Sequence, residues 1–446
     1  MSNAIFRVPE PYNEPILSYA PGSPERAELR AKLKELGSMK LDVPMVIGGK
    51  EVRTGKLGDC RPPHDHARRI GTYHKGSAKH IKDAIAAALK ARKAWAAMPF
   101  HDRAAIFLRA AELLAGPYRQ VLNAATMLVQ SKNVMQAEID AACELIDFFR
   151  YNVKYAEEIY GMQPGSAKGQ WNRVEYRGLE GFIFAVTPFN FTSIAGNLPT
   201  APALMGNTVV WKPARSTMFT AHFLMKLFEE AGMPPGVINM ITGSSSEIGD
   251  IVLGHPELAG IHFTGSTPVF QWMWETVGKN IKKYRSYPRI VGETGGKDFI
   301  FMHASAGLDV TATAMVRGAF EYQGQKCSAA SRAYIPDSRW KEIKKRVGDQ
   351  IGRIKMGDPE DFSNFMNAVI DKSAYGTITE YIDHAKKNGG AKIVYGGKYT
   401  DKKGYFIEPT VIQAKKANYK SMEEEIFGPV LTVYVYPEKR FAETLK

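Results

Sequence analysis

The stretch GFIFAVTPFNFTSIAGNLPTAPALMGNTVVWKP, residues 181–213, decides the fold. It holds two short apolar runs, GFIFAVTP at 181–188 and NTVVWKP at 207–213, with a segment of helix length between them. Two more runs follow, GVINMI at 236–241 and AGIHFTG at 259–265, again with room for a helix before each. Buried strands rich in Val, Ile and Phe that alternate with helices predict a parallel sheet covered on both faces, an α/β fold. Such sheets bind ligands beyond the carboxyl ends of their strands. Asn190, Lys212, Gly243 and Gly265 all fall at those ends.

Ahead of this core, residues 1–40 are rich in Pro and Glu and form an arm leading into a short helix around 24–36. From 79 to 160 the apolar spacing is helical, with Ile81, Ile85, Ala88 and Leu89 in one helix and Ile106, Leu113 and Leu114 in another capped by Asp102. Residues 161–177 turn to glycine, proline and alternating positions, the pattern of an inserted hairpin or loop. Beyond about 290 the chain runs through RIVGETGGKDFIFMH, a helical stretch at 309–323 and GQKCSAASRAYIP, then alternates again, which predicts a second α/β domain.

The chain's 446 residues exceed what one hydrophobic core usually organises, so two or three domains are expected. Hydrophobic residues at 44% and charged residues at 24% are an ordinary globular mixture, not a disordered one. The net charge of +13 is densest in KNIKKYRSYPR at 279–289, but no zinc finger, basic zipper or RNA-binding aromatic signature accompanies it. Nucleic acid is therefore not an expected partner; an anionic cofactor or a carboxylate substrate would gain from the field. Three scattered cysteines, Cys60, Cys143 and Cys327, form neither a disulfide framework nor a zinc spacing, so no metal is expected and a reducing compartment, the cytoplasm, fits. The N-terminus lacks an apolar signal core, and no run reaches the roughly 20 apolar residues of a membrane span.

Cys327 lies among small residues in GQKCSAASR, where a tight turn or a helix start would expose the thiol and favour its thiolate; taken alone, a buried structural cysteine is the commoner meaning. Glu293, in VGETGGKD 34 residues earlier, can serve as a general base if partial burial raises its pKa, or as a surface acid or helix cap. Asn190 offers an amide donor to an oxyanion, or closes an Asx turn. Gly265 and Ser266 in FTGST open a helix whose free amides suit a pyrophosphate, although no GxGxxG is present. Lys212 can hold a ribose or phosphate, or simply end its strand.

Taken together, TPFNFT, WKPA, FTGS, ETGGK, GQKCSA and EEEIFGPVL resemble, in order and spacing, the motifs of the aldehyde dehydrogenase superfamily. Within it the likeness is greatest to the glutamate γ-semialdehyde dehydrogenases, through QAEIDAACELIDFFR at 136–150, residues 176–213 and ETGGKDFIF. The resemblance implies an NAD(P)-binding domain (41–160 and 178–290), a bridging and oligomerisation hairpin (161–177), a catalytic domain (291–446) and a homo-oligomer. It makes Cys327 the nucleophile, Glu293 the base and Asn190 the oxyanion donor. Thr187, Lys212, Gly265, Ser266, Glu425 and Phe427 become cofactor contacts, and Glu144, Phe191 and Ser328 line the substrate. The implied reaction is NAD-dependent oxidation of the semialdehyde to glutamate through a Cys327 thioester. Another small aldehyde, or nucleotide binding without turnover, is the alternative.

Two departures qualify the resemblance. Arg215 stands where many members carry an acid that binds the ribose 2′-hydroxyl, and an arginine there suits the 2′-phosphate of NADP. The family also continues past EIFGPVL into a substrate-anchoring loop and a strand, whereas this chain stops at Lys446, which reads as a C-terminal truncation.

Overall fold

The structure, a computed structural model, describes residues 7–446, so the first six residues of the expected arm lie outside the described residues. Two compact units emerge: one of residues up to 60, 69–126 and 137–293, the other of 61–68, 127–136 and 294–446.

The first unit is built on a seven-stranded sheet in the order Arg289–Thr294, Leu258–Gly265, Phe182–Val186, Thr208–Lys212, Ile238–Met240, Met45–Ile47 and Lys50–Val52. All four expected strands are present and mutually parallel. Phe182–Val186 is central: the chain leaves it on one side for the next two strands and returns on the other for Leu258–Gly265. That reversal opens a crevice at the carboxyl ends of the central strands. The antiparallel edge formed by Met45–Ile47 and Lys50–Val52 escaped the sequence reading because each strand is only three residues long. The helix Ala78–Ala97 lays Ile81, Ala84, Ile85 and Ala88 onto Phe182, Phe184, Val210 and Ile261 to make the core of this unit.

Two local expectations change, and the arm gains definite contacts. The helix Phe100–Ala115 starts earlier than expected, capped by Pro99, and Asp102 sits within its first turn, where its charge still complements the positive helix end. The described part of the arm is tied down: the Val8, Glu14 and Leu17 amides donate to Glu157, Asp147 and Glu138. Buried Glu138 also accepts from Tyr19, Asn123 and Arg119. The hairpin expected at 161–177 folds back on itself without a strand ladder, and Gln163 closes it by bonding the Val174 amide and carbonyl. The segment is largely exposed and, among the described residues, forms no strand.

The basic stretch 279–289 lines a cavity of about 740 Å³ with Arg177 and Glu180. Arg177 pairs with Glu180 and Arg285 with Glu257, so part of its charge is offset within this unit.

The second unit is a five-stranded sheet in the order Phe299–Phe301, Arg332–Pro336, Val430–Tyr436, Thr410–Ala414 and Ala391–Tyr395. Its first four strands are parallel and the last is antiparallel. The helices Leu308–Phe320 and Asp337–Ile351 bury Met315, Phe320, Ile343 and Val347 against Ala333, Leu431 and Val433.

One buried carboxylate fixes the entry to the helix after the central strand of the first unit. Asp140 accepts the Thr192 and Ser193 amides at 3.0 and 2.9 Å, capping the helix Thr192–Leu204 from outside its own chain segment. Asp140→Ala strands both amides and should destabilise the fold by about 3 kcal/mol. Urea denaturation followed by tryptophan fluorescence should show the lowered midpoint; an unchanged midpoint would remove Asp140 from this role.

Candidate active site

In the first unit, the sequence-derived residues gather at the carboxyl ends of adjacent strands. Thr187 follows Phe182–Val186 and is locked twice: its amide donates to the Lys212 carbonyl at 3.2 Å, and its hydroxyl accepts from Trp211 Nε1 at 3.0 Å. Asn190 lies at the bend beyond it and is only 4% exposed, so an oxyanion bonded to its amide would meet little competing water. Phe191, half-buried, takes the N-cap position of Thr192–Leu204. Glu144, on the short π-helix Glu138–Glu144, accepts the Ser193 hydroxyl at 2.8 Å.

Lys212 ends its strand with its ammonium largely withdrawn from water. Burial, together with the neighbouring Arg215, pushes its pKa down to about 8. Two like charges held together at a strand end form a natural anion site. Ser266 caps the helix Thr267–Asn280 without a side-chain hydrogen bond, and that helix's amino end points its partial positive charge outward. Gly265 has a packing reason as well: a Cβ there would lie 2.7 Å from the Phe263 ring, which stacks on Phe270 at 5.3 Å. Gly292 admits the same Phe270 ring, since a Cβ would stand 2.2 Å from it. The next residue, Glu293, is exposed on the strand Arg289–Thr294, so the partial burial considered from the sequence is not found; solvent reaches its carboxylate directly.

In the second unit the residues gather at the opposite, amino ends of the strands. Three loops lie side by side there: 294–298 before Phe299–Phe301, 321–331 before Arg332–Pro336, and 424–429 before Val430–Tyr436. Cys327 is half-buried on a turn closed by Ala329 N–H to Lys326 O, and exposed Ser328 follows it. No helix begins at Cys327, contrary to one of the two sequence expectations; the small residues serve the turn.

What presents this turn is a run of left-handed backbone, Tyr322 (φ 52°), Gln323 (φ 55°) and Gly324 (φ 65°). A Cβ on Gly324 would lie 2.3 Å from the Gly428 carbonyl oxygen, so glycine is required where the second and third of these loops touch. Left-handed geometry costs about 1–2 kcal/mol at each of the two non-glycine residues. Buried amides offset it. Gln323 donates to Ser131 O and Ala368 O and accepts from Asn367 N–H; Gln325 accepts from Ile370 N–H. At about 0.5–1.5 kcal/mol net per bond, these four bonds match the strain. The buried Lys132 ammonium also sits 4.6 Å from the Tyr322 ring centroid.

Glu425 accepts the Gly296 amide at 3.0 Å, and a Cβ on Gly295 would fall 1.9 Å from its carboxylate oxygen. The first glycine of the pair in ETGGK is thus needed to admit Glu425. Burial raises the Glu425 pKa, while the Gly296 bond and Lys297 oppose that. Phe427 is held at φ 55°, a third strained non-glycine residue in the same cluster. The sequence reading missed Lys297, whose Nζ is buried with no hydrogen-bond partner among the described residues and whose pKa is pushed to about 8 by burial together with Arg332. Its signal was a lysine next to two glycines, which propensity alone reads as a turn.

Residues 53–445 match the aldehyde dehydrogenase family. The chain belongs to that family. It is 51% identical to a Delta-1-pyrroline-5-carboxylate dehydrogenase of Agaricus bisporus, over 99% of this chain and 81% of that protein. It is 46% identical to the mitochondrial Delta-1-pyrroline-5-carboxylate dehydrogenase of Homo sapiens, over 97% and 77%. A crystal structure of the Delta-pyrroline-5-carboxylate dehydrogenase from Mycobacterium tuberculosis bound with NAD superposes with a TM-score of 0.96 at 51% identity, covering 100% of this chain and 82% of that one.

The three thiols differ sharply in reactivity. Burial, with Asp59 nearby, pushes the Cys60 pKa up to about 12. Burial, with Glu138, does the same at Cys143, again to about 12. Iodoacetamide at pH 7.5 should therefore label the native protein once, at Cys327, with the other two reacting only after unfolding. Peptide mapping checks this; native labelling at Cys60 or Cys143 would contradict it.

Proposed function

We propose that this member of the family oxidises L-glutamate γ-semialdehyde, the open form of Δ1-pyrroline-5-carboxylate, to L-glutamate with NAD, a step of proline degradation. The observation that carries the substrate is the likeness at about half identity, across nearly the whole chain, to proteins bearing that name.

The first unit is assigned to cofactor binding and the second to catalysis. The residues present fit a dinucleotide: the Lys212–Arg215 pair and the uncapped helix at Ser266 suit its phosphates, Thr187 lies beside Lys212, and Glu425 with Phe427 suits the nicotinamide ribose. Bound NAD supplies the hydride acceptor. The protein does the rest. Cys327 thiolate attacks the aldehyde carbon, and the Asn190 amide and the Cys327 N–H hold the alkoxide oxygen. Loss of hydride leaves an acyl thioester on Cys327. Glu293, open to water, takes a proton from the water that cleaves the thioester, releasing carboxylate and restoring the thiol. Dividing the oxidation into two acyl steps lowers the barrier to each. Glu144, Phe191 and Ser328 are assigned to the substrate's carbon chain. The Arg215 guanidinium gives NADP a hold as well, but NAD is the cofactor proposed.

We also propose a homo-oligomer in a reducing compartment, the cytoplasm being the reading favoured by three cysteines that form no disulfide among the described residues. The folded-back segment 161–177 supports association, since Trp171 is 81% exposed and Met162 64%. Among the described residues, no helix is long and apolar enough to cross a membrane.

NAD reduction measured with glutamate γ-semialdehyde, propanal and succinate semialdehyde tests the substrate: the first should be preferred in kcat/KM, and preference for either other aldehyde would overturn it. Asn190→Ala should lower kcat by on the order of 10² to 10³ while NAD binding persists. Full turnover in that variant would remove Asn190 from the oxyanion site.

Lys212 adds a pH dependence. Its cationic form exists below about pH 8 and is lost above it, so NAD affinity should be highest at neutral pH and weaken as pH rises from 8 to 9.5. Lys212→Met should bind more weakly at pH 7 and show a flatter profile; identical profiles would exclude Lys212 from the cofactor site.

A further inference from the structure

His64 lies in the short segment 61–68 of the second unit and is 1% exposed. Its Nδ1 is 3.0 Å from the hydroxyl of Ser131, itself fully buried. Its Nε2 has no hydrogen-bond partner among the described residues. That nitrogen faces Asp358, whose nearer oxygen is 3.7 Å away, beyond hydrogen-bond length, and Glu360 completes the group. One ligand atom from each of the three lies within 4.8 Å of the others. A buried ring nitrogen without a partner costs about 1–3 kcal/mol, so its place beside two carboxylates calls for a reason.

Burial drives His64 toward its neutral form; Asp358 and Asp65 oppose this, and Arg68 and Lys403 reinforce it. With Nδ1–H donating to Ser131, Nε2 turns a lone pair toward two carboxylates. A ring nitrogen acceptor then faces two carboxylates with no hydrogen bond between them, an arrangement that a cation resolves. A hydrogen bond from the second ring nitrogen to a fixed acceptor is also what orients metal-binding histidines. We propose that His64 Nε2, Asp358 and Glu360 bind one divalent transition-metal ion of borderline softness, such as Zn²⁺, with water in the remaining positions.

The donor set selects this class: imidazole favours Zn²⁺, Co²⁺ or Ni²⁺, whereas Mg²⁺ and Ca²⁺ prefer oxygen alone. Ligand bonds of about 2.0–2.2 Å require the group to contract by roughly 1 Å. The half-exposed carboxylates can move, while His64 is fixed. Asp358 is already oriented by the Glu360 amide at 2.9 Å. The competitor is Arg68, which bonds Glu360 at 3.2 Å and must yield it. The Ser131 carbonyl accepts Gln323 Nε2, so an ion at His64 would also steady the run of residues that presents Cys327.

Equilibrium dialysis of the full chain against ZnCl₂ tests this, in a Cys327→Ala background so that the exposed thiol does not compete. One Zn²⁺ per chain is expected, with affinity falling about tenfold or more in Asp358→Asn and in Glu360→Gln. Both substitutions are on partly exposed side chains and should fold. Arg68→Ala should tighten binding by removing the competing cation, and Co²⁺ in place of Zn²⁺ should give d–d bands without a thiolate charge-transfer band. No stoichiometric Zn²⁺ at about 1 mM, or binding indifferent to both carboxylate substitutions, would overturn the proposal.

Discussion

The turn that carries Cys327 depends on backbone that would not stay in place unaided. Tyr322 and Gln323 adopt left-handed geometry that L-residues avoid, and they keep it because the Gln323 side chain bonds to three separate backbone groups. Strain and compensation are similar in size, so the turn is stable yet poised. The same run brings Gly324 against Gly428 and so joins the Cys327 loop to the loop of Glu425 and Phe427. Glu425 in turn fills the space left by Gly295. One buried glutamine thus orders all three loops at that end of the second sheet.

The two sheets use opposite ends. In the first unit the chemistry-bearing residues follow their strands, as expected where a parallel sheet reverses direction. In the second they precede their strands. A strand's amino end offers no crevice made by topology, so glycines and amide side chains have to shape it there. This accounts for the density of positive φ values and close glycine contacts around residues 295, 324 and 427–428.

Much of this was legible in the sequence where the signal is local. The four apolar runs between 181 and 265 gave strands within a residue or two of their observed limits, because fully buried strands need continuous Val, Ile and Phe. The strand-end positions of Asn190, Lys212 and Gly265 followed directly. What escaped was held by contacts distant in sequence. Asp140 caps a helix some 50 residues away, and Gln323 is fixed by Ser131 and Asn367. His64 meets its carboxylates almost 300 residues on, which no ligand spacing could reveal. The helix start at Cys327 failed for another reason: a cluster of small residues suits a tight turn as well as a helix entry, and left-handed geometry at Tyr322 and Gln323 has no sequence signature. Exposure of Glu293 was equally invisible, since a strand-end carboxylate followed by glycines can face either way.

The account rests on acyl transfer through Cys327, and the acyl intermediate itself can be weighed. Glu293→Gln should retain attack and hydride loss but not hydrolysis, so the protein mixed with NAD and glutamate γ-semialdehyde should accumulate a glutamyl adduct, located at Cys327 by mass spectrometry of acid-quenched peptides and absent without NAD. An adduct on another residue, or none while the wild-type enzyme turns over, would contradict it.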